Sequence, residues 1–274
     1  MRGKPYPVTG RDRTSGIPAG RSLSVMSYNI QGYGALFSGR YLEGVARVIR
    51  RARPDIVGLQ EVHRGTWAAR FADQVELLAR LTGMEACFGR SLTTRTGEYG
   101  NALLTRGRAV EVELHQLPGE AERRSLLRCR LEVDGATMDA FVTHLAAWGR
   151  LGRTNRTVQA RFIAGHLARA ERPFVLTGDF NASPGAPELV PLLGNGLLRR
   201  CGGREQPTHR LIRQPIDHVA TDPGWDVLRV QVLRAGPSDH FPVLATLRRG
   251  AARAAAERTE RPAPAPAVSI PRAG

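Results

Sequence analysis

Polar side chains that can bind metal ions or transfer protons lie at the ends of apolar, strand-like segments at six separate places in the chain. They are Asn29, Glu61, His144, Asp179 with Asn181, Asp217, and Asp239 with His240. Carboxylates, carboxamides and imidazoles in such numbers suit a divalent metal ion and an activated water. Residues this far apart in sequence form one site only if a β-sheet gathers the ends of its strands at one edge.

The segment Gly178-Asp179-Phe180-Asn181 ends one of these apolar runs. In an extended chain residues i and i+2 point to the same face, so Asp179 and Asn181 are expected to project together while Phe180 packs the other way. This pair fits a general base beside a carboxamide that holds the attacked group. The alternative interpretation is an Asx turn that closes a strand.

Glu61 follows the apolar run Val57-Gly-Leu-Gln60. A carboxylate at the end of a strand can be a ligand of Mg²⁺, which usually takes one or two carboxylates together with waters and substrate phosphate. The alternative is an exposed glutamate that opens the next loop.

Asp239 and His240 are neighbours, so in a strand their side chains would face opposite ways. We therefore expect Asp217, brought close by folding, to be the carboxylate that orients His240. A polar turn before Pro242 is the alternative. His144 could likewise be a hydrogen-bonded histidine at a strand end, and Asn29 an ordinary turn residue.

Helical and strand-like patterns alternate between these motifs. Apolar residues at helical spacing predict a helix over 42–49 that stops before Pro54, a second from Trp67 to Leu81, and a third over 158–167. Asp134-Gly135 between two apolar runs predicts a β-hairpin. Hairpins mixed with helices indicate antiparallel or mixed sheets with helices on their outer faces.

Composition sets the domain boundaries. Residues 1–21 and 249–274 are rich in Gly, Pro, Ala and Arg without periodicity, which predicts a disordered basic leader and a disordered tail around one domain at 22–248. The formal net charge is +15, of which about +8 belongs to this domain, and such a field attracts phosphate-bearing partners. All basic residues except Lys4 are arginine, so a compositional bias is an equally good explanation of the charge.

Neither a transmembrane segment nor a secretory signal is expected, because no apolar run is long enough and residues 1–21 lack an apolar centre. Cys87, Cys129 and Cys201 are odd in number and far apart, as expected of reduced thiols. We predict a cytoplasmic monomer.

The order of the motifs closely resembles the endonuclease/exonuclease/phosphatase superfamily, whose fold is that of deoxyribonuclease I. The resemblance covers nearly all of residues 23–247 and rests on seven motifs in order. These are Ser27-Tyr-Asn29-Ile, Leu59-Gln-Glu61-Val, Tyr99-Gly-Asn101-Ala, Thr143-His144-Leu, Gly178-Asp179-Phe-Asn181-Ala, Ile216-Asp217-His218-Val and Ser238-Asp239-His240-Phe-Pro-Val. It implies a four-layered α/β sandwich, with two mixed β-sheets packed face to face and helices outside.

The resemblance also implies hydrolysis of phosphoesters with Mg²⁺ or Mn²⁺. By motif position, Glu61 would be the main metal ligand, with Asn29 and Asp239 close to the metal. Whether one or two metal ions take part is left open by this pattern.

The remaining motif residues would act on the water and the phosphate. Asp179 would orient or deprotonate the attacking water, and Asn181 and His144 would contact the phosphate. His240, supported by Asp217, would stabilise the transition state or assist the leaving group. Phosphoryl hydrolysis needs charge neutralisation, an aligned water and help for the leaving oxygen, and these residues supply one set for each task.

The substrate is less well defined by the sequence. The Gly-x-Tyr-x-Pro-Asn segment of abasic-site endonucleases is missing, and only 6% of residues are aromatic, which argues against extensive base stacking. Arg123, Arg124 and Arg128 could bind phosphate or form a solvated face. We expect a phosphodiesterase, with nucleic acid as one candidate substrate. The alternatives are a hydrolase of phospholipid head groups or soluble phosphate esters, similar to sphingomyelinases or inositol phosphatases, and a non-catalytic module that binds phosphate-bearing partners.

Overall fold

The computed structural model describes residues 20–36, 38–120, 122–147, 149, 151–201 and 206–250. The predicted disordered leader and tail lie almost entirely outside these residues and stay predictions. Among the helices that are described, none is both long and apolar enough to span a membrane.

Twelve strands form within the described residues and make two mixed sheets. They are β1 (Ser22–Asn29), β2 (Ile56–Arg64), β3 (Glu85–Thr93), β4 (Glu98–Thr105), β5 (Arg108–Gln116), β6 (Ser125–Val133), β7 (Ala136–His144), β8 (Phe174–Asp179), β9 (Arg199–Cys201), β10 (Asp217–Thr221), β11 (Trp225–Val232) and β12 (Val243–Arg249). The strand order is β11-β12-β1-β2-β4-β3 in the first sheet and β5-β6-β7-β8-β10-β9 in the second.

Each sheet contains one parallel pair, β1 with β2 and β7 with β8, and its other pairs are antiparallel. A parallel pair needs a long crossover connection, usually helical. Here α1 (Tyr41–Ala52) joins β1 to β2 and α3 (Gly152–Leu167) joins β7 to β8. The other helices described are α2 (Gln74–Thr82) and the short α4 (Val190–Leu193), with 3₁₀ turns at Gly32–Leu36, Trp67–Ala69 and Pro187–Leu189.

Three apolar clusters lie between the four layers of the fold, which are two packed sheets and the helices on their outer faces. The cluster between the sheets contains Val25 and Ile56 from the first sheet and Leu127 and Val142 from the second. A second cluster buries the outer face of the first sheet under α1 and α2, and a third buries the outer face of the second sheet under α3 and α4. The two sheets approach so closely at Gly58 that a Cβ there would overlap the side chain of Thr177. The predicted four-layered α/β sandwich is confirmed.

The parallel pairs explain why the polar strand ends meet. Asn29 ends β1 opposite Gln60 of β2, and His144 ends β7 opposite Asp179, which ends β8. Asp217 opens the antiparallel β10 opposite Asp179, and β12 begins at Val243 opposite Ser27 of β1. The predicted polar residues therefore lie at one edge of the two packed sheets.

Several local predictions need correction. The predicted second helix over 67–81 is shorter, because Asp73 caps α2 by accepting hydrogen bonds from the N–H groups of Val75 and Glu76. Trp67 and Phe71, counted on its apolar face, are 61% and 63% exposed. The predicted helices that became α1 and α3 and the hairpin between β6 and β7 are confirmed.

Candidate active site

Glu61 lies within β2, which continues to Arg64, rather than at the end of a strand as predicted. The pairing of β2 with β4 shifts register between Leu59 and Val62, and Glu61 has the left-handed φ of 59°. A bulge of this kind redirects one side chain without ending the strand. The carboxylate of Glu61 thereby reaches the end of β1.

Asn29 connects the two sheets. Its Nδ2 donates a hydrogen bond to Oε1 of Glu61 at 3.0 Å and another to Oδ2 of Asp179 at 3.1 Å. Its Oδ1 accepts from the backbone N–H of Gln31 at 3.0 Å. Because a backbone N–H can only donate, this contact determines that the nitrogen end of the carboxamide faces both carboxylates.

Asp179 lies at the centre of the site and is only 1% exposed. Burial, followed by the negative charge of Asp217, raises the pKa of Asp179 to about 7. Its Oδ1 accepts a hydrogen bond from the N–H of Asn181 at 2.8 Å, which is an Asx turn. Asn181 has a φ of 49°, so the segment is not extended as predicted, although both side chains still face the site.

His240 and Asp217 form a buried pair. Nδ1 of His240 lies 2.9 Å from Oδ2 and 3.1 Å from Oδ1 of Asp217, as expected for a proton donated to the carboxylate. Burial alone lowers the pKa of His240, but the charge and hydrogen bond of Asp217 oppose it, with smaller contributions from Asp179 and Asp239, and the result is a pKa of about 10. The ring is therefore an imidazolium at neutral pH, with Nε2 at 3.8 Å from Oδ2 of Asp179.

His144 is the electrostatic opposite of His240. Burial, followed by the positive charges of Arg124 and His240, lowers the pKa of His144 well below its ordinary value. Nη1 of Arg124 lies 2.8 Å from Nδ1 of His144. A guanidinium can only donate, so Nδ1 accepts, and the neutral ring carries its proton on Nε2, 3.4 Å from Oδ2 of Asp179.

Asn181 completes this side of the site. Its Nδ2 lies 3.0 Å from Nε2 of His144 and donates to the carbonyl oxygen of Leu145 at 3.1 Å. The hydrogen bond to Leu145 holds the carboxamide between the ends of β7 and β8. Because Nε2 of His144 carries a proton, its contact with Nδ2 is a close approach of two donors and not a hydrogen bond. The predicted phosphate-contacting residues, His144 and Asn181, are therefore in direct contact with each other.

Asp239 lies on the opposite, more open side, with its side chain 31% exposed. Nε2 of Gln31 donates to its Oδ2 at 2.6 Å, and Nε2 of His209 lies 3.4 Å from the same oxygen. Ser238 anchors the preceding turn, because its hydroxyl donates to the carbonyl oxygen of Asn29 at 2.8 Å. All eight predicted site residues thus belong to one hydrogen-bonded network.

The donor set of this network fits a divalent metal ion. Glu61 has a pKa raised by burial, and within the described residues no arginine, lysine or histidine forms an ion pair with it. Glu61 is half-buried, and a carboxylate partly removed from water without a cationic partner is costly unless a cation neutralises it. Two groups that include His240 also bring ligand atoms within 4.8 Å of one another, but both ring nitrogens of its imidazolium carry protons and cannot bind a metal ion. The carboxylates of Glu61 and Asp239 are therefore the ligands that fit best.

Sequence reasoning missed three residues of the network. Gln31 and His209 lie in loops and carry no strand-end signal, although each contacts Asp239. Arg124 was considered only with its neighbours as a phosphate binder or a solvated residue, yet it is 3% exposed and contacts His144. Its place directly before β6 on a chain with many arginines gave no signal that separates it from Arg123, which is exposed.

The arrangement can perform acid–base chemistry on an anion. Asp179, with a pKa near neutrality, can accept a proton, while the imidazolium of His240 offers a positive charge within 4 Å of it. Catalytic sites typically contain pairs of titratable groups whose environments push their pKa values apart, so that one group is a base and the other an acid at the same pH.

Comparison with known proteins agrees with this geometry. Residues 26–240 match the model of the Endonuclease/Exonuclease/phosphatase family. Among curated proteins, the protein YbhP of Escherichia coli (strain K12) is 28% identical over 176 residues, which cover 58% of this chain and 67% of YbhP.

Solved structures show the same fold. An endonuclease/exonuclease/phosphatase from Beutenbergia cavernae DSM 12333 is 26% identical, with a TM-score of 0.66 over 84% of this chain and 72% of that chain. The catalytic domain of human nocturnin with a bound sulfate anion is 22% identical, with a TM-score of 0.69 over 83% and 94%. The mannosyl-6-phosphatase Bt3783 of Bacteroides thetaiotaomicron VPI-5482 is 21% identical, with a TM-score of 0.65 over 82% and 99%.

Proposed function

We propose that this chain, which belongs to the endonuclease/exonuclease/phosphatase family, hydrolyses phosphodiester bonds with the help of Mg²⁺ or Mn²⁺. The family consists of phosphoester hydrolases, and the chain is a hydrolase of this class. The proposal of metal-assisted phosphodiester hydrolysis rests on the position of Asp179. This carboxylate lies between the neutral ring of His144 and the imidazolium of His240, which Asp217 supports.

Glu61 and Asp239 would hold the metal ion. Glu61 lacks a cationic partner among the described residues, and the negative charge of Asp239 contributes to raising the pKa of Glu61, so the two carboxylates are close enough to repel each other. Asn29, predicted near the metal, would hold Glu61 in place through its Nδ2. A divalent ion bound there would neutralise negative charge on the substrate phosphate.

Asp179 would accept the proton of the attacking water. With a pKa of about 7, its carboxylate is poised near the operating pH, where a general base is most effective. Asn29 and Asn181 hold both oxygens of this carboxylate, so its direction is determined before substrate binds.

His240 would stabilise the negative charge that develops on the phosphate oxygens or on the leaving oxygen. Its Nδ1 is committed to Asp217, which leaves Nε2–H as the group that faces the reacting atoms. His144 and Asn181 would add neutral hydrogen-bond donors on the other side of Asp179. Donors placed in advance around developing charge are usually the largest catalytic contribution.

The strongly basic chain favours a polyanionic diester over a small monoester, because a positive field raises the local concentration of such a substrate. Nucleic acid is therefore one candidate substrate. The zebrafish (D. rerio) TDP2 complex with a single-stranded DNA product has a TM-score of 0.67 at 19% identity, which relates the two folds alone. Cytoplasmic location and a monomeric state also stay proposals.

The test compares bis-p-nitrophenyl phosphate with p-nitrophenyl phosphate in Mg²⁺. We expect release of p-nitrophenol from the diester, with a kcat/KM above that for the monoester, and its loss in Asp179→Asn. Asp226→Asn, an exposed carboxylate on β11, is the matched control and should retain the activity of the parent. Hydrolysis of the monoester alone would favour the alternative, a phosphatase of soluble esters.

A further inference from the structure

A basic pocket lies beside His240 and is not used by the chemistry described above. It has a volume of about 500 Å³, which is within the range of small-ligand sites. Its lining residues come from the loop before β10 and the segment between β11 and β12: Pro207, His209, Arg210, Arg213, Arg234 and Phe241.

His209 belongs to both this pocket and the active site. It forms an isolated antiparallel bridge with His240, and the two rings meet edge to face with centroids 4.6 Å apart. Nε2 of His209 also approaches Asp239 at 3.4 Å. The pocket therefore adjoins the imidazolium of His240 and the carboxylate of Asp239.

Two of the three guanidinium groups of the pocket are held in place by contacts that leave their charge uncancelled. Arg210 donates from Nε to the carbonyl oxygen of Ser238 and from Nη2 to that of Gly236, each at 2.8 Å. Arg210 and Arg234 both lie over the ring of Phe241, at 5.1 and 5.3 Å from its centroid. Carbonyl contacts and ring stacking orient these cations without cancelling their charge.

Among the described residues, no carboxylate pairs with the arginines that line the pocket. Across the part of the chain that the structure describes, no aspartate or glutamate forms an ion pair with Arg210, Arg213 or Arg234. Arginines elsewhere on this basic surface do find such partners, as Arg64, Arg90 and Arg108 show. The composition of the chain therefore does not by itself explain three unpaired arginines around one cavity.

We propose that this pocket binds a second phosphate group of the substrate, next to the one that is hydrolysed. The inference rests on the proposed phosphodiesterase activity and adds a substrate class: diesters that carry a further phosphate. A planar guanidinium can donate two parallel hydrogen bonds to a pair of phosphate oxygens, and three guanidinium groups suit a group with more than one negative charge.

The experiment compares matched substrates that differ only in the second phosphate. The thymidine dinucleotide without terminal phosphate is set against its 5′-phosphorylated and 3′-phosphorylated forms, which cover both sides of the scissile bond. A small-molecule arm compares glycerophosphoinositol with its 4-phosphate and distinguishes a soluble phosphate ester from a nucleic acid strand. Bis-p-nitrophenyl phosphate, which has no second phosphate, reports the basal activity.

We expect a kcat/KM about tenfold or more higher for the phosphorylated member of at least one pair, because guanidinium groups bind a phosphate through strong, charge-assisted hydrogen bonds. The double variant Arg213→Gln/Arg234→Gln should lose this preference and keep its activity on bis-p-nitrophenyl phosphate. Arg80→Gln, an exposed arginine on α2, should keep both.

Equal kcat/KM values for both members of every pair, with basal activity present, would overturn the pocket assignment alone. A preference that persists in the double variant would do the same. Failure of the parent protein to hydrolyse any phosphodiester, bis-p-nitrophenyl phosphate included, would overturn the proposed function itself and this inference with it.

Discussion

Nδ1 of His240 lies 2.9 Å from Oδ2 of Asp217, and both side chains are almost completely buried. The two residues come from the start of β10 and the turn before β12, and the ion pair they form maintains a charged ring inside the site. Breaking a buried pair leaves one uncompensated charge, so the two residues should behave as a unit.

The first prediction is non-additive loss at this pair. His240→Ala should lower the turnover number by at least roughly a hundredfold, the lower end for a positioned acid–base group. Asp217→Asn should lower the turnover number by a somewhat smaller factor. The turnover number of the double variant should be scarcely lower than that of His240→Ala alone. Steady-state kinetics on one diester measures all four proteins, with circular dichroism to verify folding. Losses that simply multiply would mean that the residues act independently.

Much of the candidate site could be predicted from the sequence, because an apolar run followed by a polar residue marks the end of a buried strand without reference to the rest of the chain. Asn29, His144 and Asp179 each end a buried strand, so the pattern and the fold agree at these positions. The pairing of His240 with Asp217 rather than Asp239 was predicted from the alternation of side chains along a strand. The pairing is found, although Asp239 and His240 lie in the turn before β12 and not in a strand. These predictions needed no knowledge of which strands pair.

Other features depended on tertiary pairing that the chain does not signal locally. β5 (Arg108–Gln116) is an edge strand with a largely exposed, charged sequence, and it exists because β6 pairs with it. The left-handed φ of Glu61 and of Gln31 is imposed by the bulge and by a turn, not by glycine. Arg124 became a site residue only because β6 lies beside β7, which brings it to His144.

The second prediction concerns Arg124 as a positioning residue for His144. Arg124→Gln removes a neighbouring positive charge, so the pKa of His144 should rise toward its ordinary value, although burial keeps it lowered. NMR titration of the ring measures this shift, which a purely structural role would not produce. Turnover should fall about tenfold or more, with partial rescue in Arg124→Lys.

Arg123→Gln is the matched control for that experiment, because Arg123 is adjacent but exposed. It should leave both the pKa of His144 and the turnover unchanged. An unaltered His144 titration in Arg124→Gln would show that the contact at 2.8 Å has no electrostatic effect on the ring.

The third prediction is dependence on a divalent metal. Chelation with EDTA should abolish hydrolysis, and Mg²⁺ or Mn²⁺ should restore it. Glu61→Gln removes the charge of the proposed main ligand, so it should raise the metal concentration needed for half-maximal activity about tenfold or more. Glu76→Gln, an exposed carboxylate on α2, should not. Full activity in EDTA would contradict the proposed role of Glu61.

The last prediction is acid destabilisation through His218, which stands outside the reaction. Its ring is 2% exposed, packs against Phe180 and donates from Nε2 to the carbonyl oxygen of Ala182 at 2.9 Å. Burial lowers the pKa of His218 to about 4. Between pH 6.5 and about 4 the unfolded chain takes up a proton that the folded ring does not, so stability falls as the pH falls through this window.

Through His218, the free energy of unfolding at pH 5.5 should be about 1 kcal/mol lower than at pH 7.5. His218→Gln keeps an amide donor for Ala182 but cannot titrate. Between pH 7.5 and 5.5 the Tm of the parent should therefore fall further than the Tm of the variant, by about 2–4 °C for a domain of this size. Differential scanning calorimetry at the two pH values, in the same buffer ions and salt, measures both drops. Each protein is compared with itself at the two pH values, so any general destabilisation by the substitution cancels. Equal drops in Tm would contradict the prediction, because they would show that His218 takes up a proton as readily in the folded chain as in the unfolded one.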